Sequence, residues 1–149
     1  MASLKTYEKI RDLRDREKLD KQRKYQSDME SFEMYAHQLY EALKKKEDAV
    51  NQFNDQLSKG AVEVQSFIHH QKHIQHLENV IQSLQPSVQH ARVKMQQSQE
   101  ALSNAHVEVK KFDKVIERKE DQQLQMLKDQ EIQAMDELSL QQFLNYQNR

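Results

Sequence analysis

The stretch Gln56-Leu57-Ser58-Lys59-Gly60-Ala61-Val62-Glu63 holds the only glycine in 149 residues, and its reading decides the fold. Glycine adopts the left-handed backbone without a Cβ penalty, so it ends helices at the C′ position. Ser58-Lys59-Gly60 follows a strongly periodic segment and precedes another. Glu63 then suits the first turn of a new helix, where the backbone dipole favours an anion. The expectation is one long helix over about 3–58, a turn over about 59–61, and a second helix beginning near 62.

The flanking segments carry the same message. In the first, Tyr25, Met29, Phe32, Ala36, Leu39, Leu43, Lys46, Val50, Phe53 and Leu57 are spaced by alternating fours and threes, and nine of these ten are apolar. In the second, Ile74, Leu77, Ile81, Leu84, Val88, Ala91, Met95, Ser98, Leu102, Ala105, Val109, Phe112 and Ile116 repeat that spacing, with Ser98 the one polar member. A sustained 3.5-residue repeat is a coiled-coil seam. Two seams joined by a short turn fold back on each other. The predicted fold class is all-α: two long helices in an antiparallel coiled-coil hairpin, residues 1–119, with a helical or disordered C-terminal tail over 120–149. Counting from a fold point at Gly60 sets Tyr25 near Met95.

Pro86 interrupts the second segment at a cost of about 3 kcal/mol in a helix interior. The seam keeps phase from Leu84 to Val88, however, and Pro86 falls at the outermost heptad position. The second helix is therefore expected to be continuous and kinked near Pro86. At the free ends the pattern slips: Ile10 and Leu13 are out of phase with Tyr25, and Leu124, Leu127 and Leu138 with Ile116. Such slips unwind a supercoil locally. The tail from about 120 thus has apolar residues without a partner on the same chain, as expected of a docking segment.

Composition excludes whole classes of function. One Gly and one Pro, against roughly 7% and 5% in average domains, leave no material for a multi-stranded sheet or a phosphate-cradling loop. With no Cys there is no disulfide framework and no thiolate metal site. A net charge of −1 argues against a general nucleic-acid binder or a membrane-surface binder. No stretch reaches the roughly 18 apolar residues of a membrane span, and the charged start lacks an apolar leader. A soluble protein without direct membrane insertion is expected.

A two-helix rod offers no enclosed pocket, so no enzyme activity and no cofactor are expected. His69, His73 and His76 share one helix face, and two histidines at i, i+4 can hold zinc. No acidic or cysteine ligand lies beside them in sequence, which favours a plain exposed face. His70 falls on the seam. Residues 11–24 hold seven basic and four acidic side chains, a mixture that suits internal ion pairs better than nucleic acid. Residues 62–107 contain six acidic or basic side chains and six histidines. Such a low-charge face is cheaper to desolvate and is a candidate partner surface.

Four stretches together resemble one known family: LKTYEKIRDLRDREKLDKQRKY at the start, QLSKGAVEVQSFIHHQKHIQHLENVI around the turn, VEVKKFDKVIERKE on the return, and MDELSLQQFL in the tail. In order, spacing and length the chain resembles the flagellar FliJ family, the stalk-like component of the flagellar type III export ATPase. The resemblance implies a non-enzymatic coiled coil similar to the central stalk of rotary ATPases. It implies three partners: the hexameric export ATPase, the membrane export gate protein and export chaperones. It also implies a cytoplasmic location, peripheral to the membrane through that apparatus. About 55 helical residues would span about 80 Å. The paired ends would meet the ATPase, with Ile10, Arg11, Leu13, Arg14, Arg16 and Leu124 as candidate contacts. Gln38 and Leu77, towards the tip, match the gate-contacting surface. Asp136 and Glu137 match the tail pattern, without an assigned role. A chain whose seams satisfy each other is expected to be monomeric alone. The stalk of a virulence type III secretion system and a generic coiled-coil tether are the competing readings.

Overall fold

The computed structural model describes residues 3–60 and 62–148. Within them are two helices, α1 (Leu4–Ser58) and α2 (Val64–Gln147), and no strand. Their ends follow local chemistry. Ser3 caps α1: its Oγ accepts from the Thr6 backbone N–H at 3.3 Å, and its carbonyl accepts from Thr6 and Tyr7. At the other end the Lys59 N–H reaches the Asp55 carbonyl and the Gly60 N–H that of Leu57. Gly60 stands at φ 82°, the left-handed conformation expected of it. Ala61, the last residue of the expected turn, lies outside the described residues. Glu63 sits just before α2 rather than in its first turn, and its carbonyl accepts from the Phe67 N–H. The helix runs unbroken through Pro86; Pro86 and Gln82, whose carbonyl the proline leaves without a helical donor, are both exposed.

The chain divides into two compact units, Leu19–Ser103 and Met1–Lys18 with Asn104–Arg149. The Leu19–Ser103 unit is an antiparallel hairpin. Its core is Ala42, Ala49 and Phe53 of α1 against Leu77, Ile81, Val88 and Ala91 of α2. Phe53 closes it near the turn, its ring 5.4 Å from that of Phe67 and 5.5 Å from that of His70. Further along, Lys46 Nζ pairs with Glu78 at 3.2 Å, and the Arg92 guanidinium lies over the Phe32 ring at 5.7 Å.

Every α2 residue of the expected seam is buried or half-buried. On α1 the structure chooses differently. Phe32, Leu39, Lys46 and Phe53 face the partner as expected, but the alternate set is shifted back by one residue. On the shifted set Asp28, Ala42 and Ala49 are buried and Tyr35 and Gln56 half-buried, while of the expected set Met29, Ala36 and Val50 stay half-buried and Leu43 and Leu57 are exposed. The physical reason lies across the interface. Leu77, Ile81, Leu84 and Val88 occupy most of the space between the helices, and Ala42 and Ala49 fit against them where the bulkier Leu43 and Val50 would crowd them. The register differs as well. Pairs such as Phe32 with Arg92 and Lys46 with Glu78 centre the fold near residue 62, just past Gly60, so Tyr25 lies level with residues a few beyond Met95.

In the other unit, α1 residues 4–18 run antiparallel to α2 residues 104–119. The Lys119 ammonium lies 5.9 Å from the Tyr7 ring centre, and Arg11 Nε is 3.8 Å from Asp113. Val109 and Ile116 are its buried residues. From residue 120 to its end at Gln147 every position of α2 is exposed. No helix is long and apolar enough to cross a membrane among the described residues.

Candidate partner-binding surfaces

The hairpin seam produces a groove because its α1 side is small. Opposite Leu77 and Leu84, Ala42 leaves a shallow trough of about 420 Å³. His37, Gln38, Glu41 and Lys45 of α1 form one wall, and His76 and Val80 of α2 belong to the other. The structure thus brings Gln38 and Leu77, distant in sequence, onto one surface. Leu77 is only 6% exposed and forms the floor, whereas Gln38 is exposed on the wall. The floor is apolar and the rim mixes one acid, one lysine and two histidines, a composition fitted to a protein surface rather than to a small charged ligand. Sequence reasoning missed Glu41, Lys45 and Val80, because only the register tells which α1 residues face which on α2.

A neighbouring trough shares Lys45 and is lined by Asp48, Ala49, Gln52, His69, His70 and His73. The first helix therefore does place an acid beside the histidines, which sequence reading had left without an acidic neighbour. Among the described residues, no group of three or more histidine or carboxylate side chains is arranged to hold a metal ion.

Two polar residues are buried in the seam: Asp28 at 8% exposure and Ser98 at 4%. The Ser98 hydroxyl lies against the Asp28 carboxylate, and Lys24 Nζ reaches the same oxygen at 3.0 Å. The hydroxyl from Ser98 holds the Asp28 carboxyl below its ordinary value, with the Lys24 ammonium adding to the effect against the opposing influence of burial. Ser98 was visible in the sequence as the lone polar member of its seam. Asp28 was hidden one position from Met29, which the apolar count selected instead.

The candidate residues of the other unit lie in two settings. Ile10, Arg11 and Arg14 are half-buried on α1. Arg11 contacts Asp12 at 3.3 Å as well as Asp113, and Arg14 pairs with Glu17 at 3.0 Å. Leu13, 51% exposed, and Arg16 point to solvent. On α2, Leu124 is 54% exposed, and Asp136 and Glu137 lie in the exposed run. That run also displays Met126, Leu127, Ile132, Met135, Leu138, Leu140, Phe143 and Leu144. Such an accumulation of exposed apolar side chains makes the run a candidate interaction surface.

The family model described as Flagellar FliJ protein matches residues 4–148. The flagellar FliJ protein of Bacillus subtilis (strain 168) is 33% identical over 144 residues, covering 97% of each chain. No solved structure matches the chain.

Proposed function

Since the chain belongs to the flagellar FliJ family, we propose that it is a non-enzymatic, stalk-like component of the flagellar type III export apparatus, linking the export ATPase to the membrane export gate and to export chaperones. The observation that carries this reading is the family match over residues 4–148, which includes both candidate surfaces. The physical features support it. The groove of Gln38 and Leu77 has an apolar floor and a polar rim, the anatomy of a protein interface, and is the gate-binding surface. The exposed apolar run after residue 120, together with Ile10, Leu13 and the arginines at 11, 14 and 16, supplies the ATPase-binding surface. The protein acts from the cytoplasm, peripheral to the membrane through its partners, and is monomeric when alone.

Binding to the purified cognate ATPase and to the cytoplasmic domain of the gate protein tests this. Reversing Arg16 together with Leu13→Asp is expected to weaken ATPase binding about tenfold or more, with helix content unchanged, because both side chains are exposed. The electrostatic part of wild-type binding falls as salt rises, since the screening length is about 8–10 Å near physiological ionic strength. Gln38→Arg is expected to weaken gate binding and leave ATPase binding intact. If Gln38→Arg abolished ATPase binding while the double change at 13 and 16 had no effect, the assignment of surfaces would be reversed. Loss of neither interaction would favour the generic tether.

A further inference from the structure

We propose that Asp28 and Ser98 are positioning residues that lock the register of the Leu19–Ser103 hairpin, and that this register is what assembles the Gln38–Leu77 groove from its two helices. The proposal takes that groove as the partner surface described above.

The need for a lock follows from the seam itself. A heptad repeat looks nearly the same after a slip of seven residues, since inner positions again meet inner positions. The α1 side discriminates poorly, because Ala42 and Ala49 are small and Lys46 is a flexible charged side chain. A slip of one heptad moves the helices about 10 Å past each other. It would carry Gln38 and Lys45 away from Leu77 and Val80, and the groove would no longer exist as one surface.

The polar pair penalises that slip in both directions. In one, Ala91 comes level with Asp28. In the other, Ser98 comes level with Tyr35. Either way the carboxylate loses the hydroxyl that donates to it, and of its two hydrogen-bond partners only Lys24, on the same helix, keeps its place. A buried carboxylate without its cross-helix donor is strongly disfavoured, whereas apolar layers tolerate the exchange. A single buried polar position specifying register at some cost in stability is an established device of coiled coils. Here the donor, the acceptor and the neighbouring ammonium are all in place, and Asp28 and Ser98 are the buried polar residues of the described chain.

Cysteine pairs in the full-length protein report the register directly. One heptad along each helix from the polar pair, Tyr35 and Ala91 come level, so Tyr35→Cys with Ala91→Cys should oxidise to an intrachain disulfide. Ala42→Cys with Ala91→Cys, and Tyr35→Cys with Leu84→Cys, become level only after a one-heptad slip and should link at background yield. In the Asp28→Leu/Ser98→Ala background at least one slipped pair should rise several-fold above background and the native pair should fall. The thermal midpoint of that double variant should equal or exceed that of Ser98→Ala alone, which strands the carboxylate. Ser98→Thr, which keeps the hydroxyl, should retain the native link only. If the double variant links only 35 with 91, or melts below Ser98→Ala, the lock is refuted. The groove reading is tested apart from this, because the disulfide readout needs no partner. Retained gate binding by Gln38→Arg would remove the groove reading and leave the register result standing.

Discussion

Two segments of α2 make an instructive pair. Residues 74–116 and residues 124–146 both carry leucine, isoleucine, methionine and phenylalanine, yet the first lines a core and the second is exposed throughout. The difference does not lie in helix formation, since both segments are helical. It lies in the partner. Residues 74–116 face α1 at a strict three-four spacing, and each inner position meets another helix. Residues 124–146 have nothing opposite them among the described residues. Apolar content alone therefore makes a candidate surface, and only a facing helix makes it a core. The acidic balance of 120–148, six carboxylates to one lysine, further separates that segment from the low-charge α2 face.

Substitutions can break this comparison. The largest effect is expected from Ile81→Asp, which puts an unpaired charge in the seam at a site 7% exposed. A loss of about 3 kcal/mol or more is expected, seen as a large drop in the midpoint of helical melting. A small effect there would mean that the seam opens to water.

Next is Ser98→Ala, expected to cost about 1–3 kcal/mol near pH 7 because it leaves the Asp28 carboxylate without its donor. The pH dependence has a definite sign. Asp28 titrates below its ordinary 3.8 in the folded protein, so its stabilisation is complete above that value and fades as pH falls through the lower folded one. The gap between wild type and Ser98→Ala, followed by denaturant unfolding, should narrow on acidification below pH 4. A gap independent of pH would break the assignment.

Gly60→Ala should cost about 1 kcal/mol. The Cβ meets no atom within 4 Å, so the cost comes from the left-handed backbone at φ 82° rather than from a clash. The smallest effect belongs to the other half of the comparison. Leu138→Asp, at a site 57% exposed, should change stability by less than about 0.5 kcal/mol, and truncation after residue 120 should leave the melting midpoint of the hairpin in place. A cooperative loss on truncation would show that the exposed run has a partner after all.

Much of this was legible before any coordinates. The scarcity of Gly and Pro, the two heptad runs and the single glycine between them determine an all-α chain that turns near residue 60. These are local and periodic properties, written in one strand of residues at a time. The α2 seam was readable because its apolar positions have no equally apolar competitors. The α1 seam was not. Its two possible phases share Phe32, Leu39, Lys46 and Phe53, and the phase with Ala36, Leu43, Val50 and Leu57, of which the structure exposes the two leucines, is the more apolar of the two. Only packing against the large side chains of α2 decides for Ala42 and Ala49, because the space between two helices is finite and is already occupied. The register, the burial of Asp28 against Ser98, and the meeting of Gln38 with Leu77 in one groove depend on both helices at once. No count along either helix contains them, and the tertiary structure alone decides them.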